Sequence, residues 1–263
     1  MPTLVFLRGL NTWGDDDIHV GPLRYGPMHA QLEIAFRERG VDFIPLTGIG
    51  AGSPEILAER SAKLLEPILA ADPSRKIHLL GHSTGGLVGR ALATLPAFED
   101  RVRSIITIGT PHRGAFVATL GVDFDKRSPW LYRLFTAVGY DTRKKVEVLR
   151  HLTPDYVEDF NRRFPSRSDR REISLLCDVP RTEISPFYKC VYGRLHPMSG
   201  TTRPASDGFI WCESQKWGEV VGPFALDHFA QLGCYPLANR SNQKRLSNEF
   251  HRMVDAVVQL ISQ

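Results

Sequence analysis

The sequence predicts a single α/β domain, with a mostly parallel central sheet, helices on both of its faces and a helical insertion. Three observations carry this reading. Short aliphatic runs alternate with longer stretches of helical spacing through the first 110 or so residues. The alternation stops between about 115 and 171, where only helix-like pieces rich in Arg and Lys occur, and then resumes. The length of 263 residues fits one large domain better than two small ones. The expected organisation is therefore a core of 1–114 and 172–263, with a lid or cap at about 115–171.

Taken in order, Thr3–Leu7, Val41–Leu46, Lys76–Leu80 and Arg103–Gly109 read as strands, because each is brief and mostly aliphatic, as strands covered on both faces are. Gly26–Arg39, Pro54–Ala70 and Ser83–Leu95 carry helical spacing. Ser53 before Pro54 is a natural N-cap with proline in the first turn. Within the insertion, Pro129–Val138, Arg143–Leu152 and Pro154–Phe164 are the expected helices. Glu172–Cys177 resumes the strand pattern, a Gly/Pro/Ser/Thr-rich stretch covers Gly193 to Gly208, and Glu219–Gly222 is a final short strand. Asn242–Ile261 is helical, with Leu246, Phe250, Met253, Val254, Val257, Val258 and Ile261 on one apolar stripe.

Composition narrows the class. Hydrophobic residues make up 42% and charged residues 24%, enough for a full core under a soluble surface. No apolar run is long enough to span a bilayer. A dispersed charge of +4 does not point to nucleic acid. The N-terminus enters a strand at once without a basic, apolar and small-residue sequence before it, which suggests a cytoplasmic protein unless an export signal preceded it. Cys177, Cys190, Cys212 and Cys234 lack CxxC spacing, which argues against a zinc or dithiol site. Buried free thiols are expected, with disulfides the alternative for an exported chain. Neither a metal nor an organic cofactor is expected.

The sharpest local signal is Gly81-His82-Ser83-Thr84-Gly85, lying between the strand Ile77–Leu80 and a Gly- and Ala-rich helix. A serine on such a strand–turn–helix corner is forced into a strained backbone and lifts its Oγ above the sheet edge. The flanking glycines are needed because a Cβ there would strike a neighbouring element. An N-capping serine in an ordinary turn is the bland alternative, and the strand–helix context disfavours it. A nucleophilic serine needs a base, and the base needs an orienting carboxylate. On this kind of sheet they follow in the order Ser, acid, His. Asp207, in a polar turn before Phe209-Ile210, is the expected acid, with Asp178 competing at the end of a strand. His228 follows the last strand and is the expected base. His196 precedes Asp207, His251 falls on the polar side of the last helix, and His82 and His112 are wrongly ordered or directed. An oxyanion hole needs two backbone donors. The N–H groups of Thr84, after the nucleophile, and of Leu10, after the strand Thr3–Leu7, are the candidates.

With these residues in hand, the chain resembles the bacterial triacylglycerol lipases. The likeness rests on Arg8-Gly9-Leu10, the elbow Gly81–Gly86, Ile108-Gly109-Thr110-Pro111-His112-Arg113-Gly114, Ser206-Asp207-Gly208 and Asp227-His228-Phe229. Leu152-Thr153-Pro154, Phe160-Asn161 and Pro165 add the segment that follows the lid in that family. The resemblance implies an α/β-hydrolase fold with a helical lid, a Ser83–Asp207–His228 triad, oxyanion donors at Leu10 and Thr84, and cleavage of lipid esters. Two departures stand out. The family's usual His-Gly dipeptide is Arg8-Gly9 here. Ala230 stands where many members carry a calcium-binding aspartate, so calcium is not expected. Cys212 resembles a family disulfide position with no partner indicated.

Trp13, Phe116, Trp130, Leu131, Leu134 and Phe135 are candidates for an acyl pocket or the underside of a lid, with core packing the alternative for each. Arg143, Lys144, Lys145, Arg162, Arg163, Arg170 and Arg171 read either as a solvated helical face or as a transient contact with an anionic lipid interface. Acyltransferase or polyester and thioester hydrolase chemistry would use the same triad. A non-catalytic binding protein on this scaffold is disfavoured, because every expected catalytic position holds a competent residue.

Overall fold

The computed structural model describes residues 1–9, 16–20, 23–115, 118–119, 149–185, 188–189, 205–235, 238 and 240–263. Its centre is a six-stranded sheet of β1 (Thr3–Leu7), β4 (Asp42–Leu46), β5 (Ile77–His82), β6 (Val102–Ile108), β7 (Arg171–Cys177) and β8 (Glu219–Phe224), in the order β4-β1-β5-β6-β7-β8. Every pairing in it is parallel. The inner strands β1 and β5 are wholly buried, as their unbroken aliphatic runs require. A separate antiparallel pair, β2 (Asp17–Val20) and β3 (Leu23–Pro27), precedes helix α1 (Ala30–Arg37).

Helices cover both faces. On one, α2 (Pro54–Ala70), α3 (Gly85–Leu92) and α4 (Pro154–Arg163) bury Leu57, Leu65, Leu87, Leu92, Val157 and Phe160 in a core with Leu79 and Ile105. On the other, α1 and the C-terminal helix Arg240–Ile261 bury Leu32, Phe36, Leu246, Phe250, Met253, Val254, Val257 and Ile261 against Leu80, Ile106 and Ile173. Each such side chain contributes about 1.5–3 kcal/mol by leaving water. The predicted apolar stripe of the last helix is thus its buried face, although Val258 is only partly buried. Ser53 caps α2 by accepting from the N–H of Ile56 at 3.4 Å.

The departures from expectation are local. Gly26–Arg39 is not one helix: Leu23–Pro27 is a strand, and α1 starts only at Ala30. Gly26 has φ of +88° and precedes Pro27, and the residue before proline is pushed out of the helical region. Helix α3 starts at Gly85 rather than Ser83, because Ser83 sits at a positive φ that no helix accepts. The expected helices Pro129–Val138 and most of Arg143–Leu152, and most of the stretch Gly193–Gly208, lie outside the described residues.

Candidate active site

The elbow forms where β5 runs out. Ser83 has φ of +54°, the only positive value for a non-glycine residue among those described. Left-handed backbone strains a residue with a Cβ and persists only where the surroundings hold it. Here the Ser83 N–H donates to the carbonyl of Ile108 at 2.9 Å, which ties the elbow to the end of β6. The approach of neighbouring backbone is close. A Cβ on Gly85 would stand 2.0 Å from the carbonyl oxygen of Leu7, and one on Gly81 2.4 Å from the Cα of Gly86. The Cα of Gly9 also packs on Ser83, since a Cβ there would lie 2.6 Å from that of Ser83. Thr84 is the N-cap of α3, at the end whose N–H groups have no partner within the helix.

Asp207 lies in the turn after the bridge residue Ser206 and is completely buried. Its Oδ1 accepts from the N–H groups of Phe209 at 2.9 Å and Ile210 at 2.6 Å. Its Oδ2 accepts from Nδ1 of His228 at 2.8 Å and from Nε2 of Gln231 at 2.8 Å. The main chain locks the same two segments together, the N–H of His228 donating to the carbonyl of Asp207 at 3.0 Å. Asp227 shapes the loop that carries His228. It accepts from Phe229 and Ala230 N–H with one oxygen and from Ser185 N–H with the other. Burial pushes its carboxyl above the usual range, and the nearby Asp207 adds to that.

Gly109 reports how near these parts come to the elbow. A Cβ on it would lie 2.4 Å from Oε1 of Gln231, 2.9 Å from Oδ2 of Asp207 and 2.9 Å from Nδ1 of His228. Gly109 directly follows Ile108, whose carbonyl holds Ser83. His82, on the strand side of Ser83, has its ring 4.6 Å from the His228 ring, and its Nε2 is 3.2 Å from the His228 carbonyl oxygen. Burial drives the His82 pKa well below its ordinary value, and the neighbouring His228 adds to this. Phe209 and Tyr188 flank His228, with centroids at 5.2 Å and 6.2 Å.

The structure thus brings Ser83, Asp207 and His228 to one end of the parallel sheet. Asp178 turns elsewhere, its Oδ1 accepting from the Ser206 N–H. Leu10, Trp13, Phe116, Trp130, Leu131, Leu134, Phe135 and His196 lie outside the described residues. Cys177, Cys212 and Cys234 are free thiols, and burial pushes Cys212 and Cys234 up to about 12. Among the basic residues of the insertion, Arg162 and Arg163 pair with acids of their own helix, and Arg163 also with Glu55. Arg170 is buried and donates to the carbonyl of Ala93, so it is no part of a solvated face. Gln231 was not expected from the sequence. The signal for it was the three-residue spacing from His228 on a tight turn.

Residues 63–147 match the PGAP1-like alpha/beta domain. The chain is 31% identical over 126 residues to the triacylglycerol lipase of Pseudarthrobacter phenanthrenivorans, a match that covers 43% of this chain and 39% of that one. The chain therefore spans well under half the length of that relative. Its structure resembles the Staphylococcus hyicus lipase, with a TM-score of 0.70, 15% identity and coverage of 99% and 96% of the two chains. It likewise resembles the mature lipase of Bacillus licheniformis, with a TM-score of 0.66, 18% identity and coverage of 96% and 91%. These likenesses show the fold: a parallel sheet between helices, the α/β-hydrolase fold of those lipases.

Proposed function

We propose that the protein hydrolyses carboxylic esters of lipids, acylglycerols among them, through a Ser83–Asp207–His228 triad and an acyl-enzyme. One observation carries this reading. The strained Ser83 shares the end of β6 with a histidine whose Nδ1 is held by a wholly buried carboxylate. With Asp207 accepting at Nδ1, the lone pair of His228 is on Nε2. His228 takes the proton of Ser83 Oγ as that oxygen forms a bond to the ester carbonyl carbon, and Asp207 stabilises the resulting imidazolium. The N–H groups of Thr84 and Leu10 hold the oxyanion. Collapse breaks the ester C–O bond, and the alcohol leaves with the proton from His228. Water then attacks the acyl-enzyme, with His228 as its base, and frees the acid and Ser83. This chemistry needs neither metal nor organic cofactor. Within the expected insertion, α4 packs Val157 and Phe160 into the core, and no described helix is long and apolar enough to cross a membrane.

The test is hydrolysis of p-nitrophenyl esters from acetyl to palmitoyl by wild type and Ser83→Ala, beside labelling with a fluorophosphonate. Activity lost by a factor of roughly 10⁴ or more in the variant, with labelling abolished, is the expected result. A maximum at long chains supports a lidded lipase, and one at short chains an esterase. Added alcohols that capture the acyl group faster than water would move the assignment to an acyltransferase. Activity that survives in Ser83→Ala overturns the triad.

A further inference from the structure

We propose that Gln231 is a positioning residue of the site, one that orients Asp207 and limits how strongly Asp207 attracts a proton onto His228. The inference rests on the triad reading above. Gln231 is wholly buried, and its Nε2 donates at 2.8 Å to the same Oδ2 of Asp207 that accepts from His228. Asp207 is a buried anion with four donors, and no described cation pairs with it. Two of those donors are N–H groups of its own turn, and the third is the His228 ring itself. Among the described residues, Gln231 is the one side chain besides His228 that bonds the carboxylate and so fixes its direction. By sharing Oδ2, it also withdraws part of the negative charge that His228 faces.

Local structure explains why a residue three positions after His228 can do this. Asp227 caps the turn through Phe229 and Ala230, and the Gln231 N–H donates to the Asp227 carbonyl at 3.0 Å. The segment Ala230–Leu232 is a 3₁₀ turn, in which residues three apart stand on the same side. Its amide oxygen comes close enough to Gly109 that a Cβ there would lie 2.4 Å away. The titratable groups around this amide are His228 and Asp227 on its own loop, Asp207 on the opposite turn, His82 at the end of β5 and Cys177 at the end of β7. Gln215 supplies an internal control. It is equally buried, but its amide bonds only main chain: the N–H and carbonyl of Cys177 and the carbonyl of Ile210.

Gln231→Glu places a second carboxyl beside Asp207. Two carboxyls this close hold one proton between them, so the introduced acid donates to Oδ2 as the amide does and kcat is expected to stay within a few-fold of wild type. Gln231→Met removes the donor and leaves the full charge of Asp207 facing His228, so the acid limb of kcat/KM is expected to move to higher pH and kcat to fall roughly 10- to 100-fold with KM little changed. Gln215→Met is expected to lower Tm without moving the pH limb. The measurement is the pH profile of kcat/KM for a short p-nitrophenyl ester, with fluorophosphonate labelling in parallel. A wild-type limb or an unchanged kcat in Gln231→Met overturns the role of Gln231. If Gln231→Met does not fold, Gln231→Asn, whose amide is one carbon too short to reach Oδ2, is measured in its place with the same two outcomes. Wild-type protein that neither hydrolyses ester nor takes the label would instead overturn the triad reading.

Discussion

His228 and His112 both sit on loops leaving the same end of the sheet, and both are buried. Their surroundings differ in one decisive respect. His228 meets a carboxylate at Nδ1, whereas His112 meets a cation there, the guanidinium of Arg90 at 3.2 Å. The other nitrogen of His112 is taken by the hydroxyl of Thr107 at 3.0 Å. With Arg90 donating to Nδ1, the His112 ring carries its proton on Nε2 and stays neutral. Burial drives its pKa well below the ordinary value, and Arg90 and Arg113 add to this. Arg90 lies 3.5 Å over the ring of Trp217, on which His112 stacks, and burial lowers its own pKa to about 9. Asn161 closes the cluster by accepting from Arg90 and donating to the His112 carbonyl. This second cluster ties α3, α4 and the loop after β6 together. The partner, rather than the residue type, separates the two histidines: one is held by a carboxylate, the other by a guanidinium.

Substitutions at the two centres should therefore have opposite signatures. His228→Ala is expected to lower kcat by about 10⁶-fold with little change in Tm. Asp207→Asn, which favours the wrong tautomer, should lower it by about 10⁴-fold. Ester turnover beside a thermal melt checks both, and either variant retaining wild-type kcat would break the contrast. Arg90→Met should do the reverse. It orphans Asn161 Oδ1 and the Phe164 carbonyl, and is expected to cost about 2–3 kcal/mol, or roughly 5–10 °C in Tm, while turnover per folded molecule stays within a few-fold.

The smallest effect concerns pH. His112 and His82 have folded-state pKa values well below 6.5, and His78 is lowered to about 4, chiefly by burial. Below pH 6.5 the unfolded chain takes up protons that these buried rings refuse, so stability falls on acidification. For His78 the loss runs from about 6.5 down to about 4 and then levels. Each histidine adds a slope of about 1.4 kcal/mol per pH unit within its window. Denaturant midpoints measured from pH 7.5 to 4.5 should fall accordingly, and His78→Gln should flatten part of the decline. A midpoint independent of pH over that range would show that these histidines titrate alike in both states.

Much of the fold was legible because its signals are local. A parallel strand buried on both faces has few sequence options, and Thr3–Leu7 and Pro54–Ala70 came out residue for residue as read. Boundaries were lost where a single residue overrides periodicity, as Gly26-Pro27 does at the start of α1 and Ser83 at the start of α3. The pair β2–β3 was missed because four- and five-residue strands carry too little pattern to register. Chain order singled out Asp207 and His228 as partners, and they do meet at 2.8 Å. It was silent on Gln231 and on the Arg90 cluster, whose members lie up to 127 residues apart in the chain, from Arg90 to Trp217.

The sequence by itself determined the alternation of strand and helix, the elbow, and an aspartate and a histidine following it in that order. These follow from short-range sterics and from hydrophobic spacing, which act within a few residues. Only the tertiary structure decided which buried polar groups face one another: for His228 a carboxylate that an amide also holds, for His112 a guanidinium and a hydroxyl. Such pairings depend on ångström-scale approach between distant segments. Burial turns that approach into chemistry, because an ionisable group out of water takes its protonation state from whatever stands beside it.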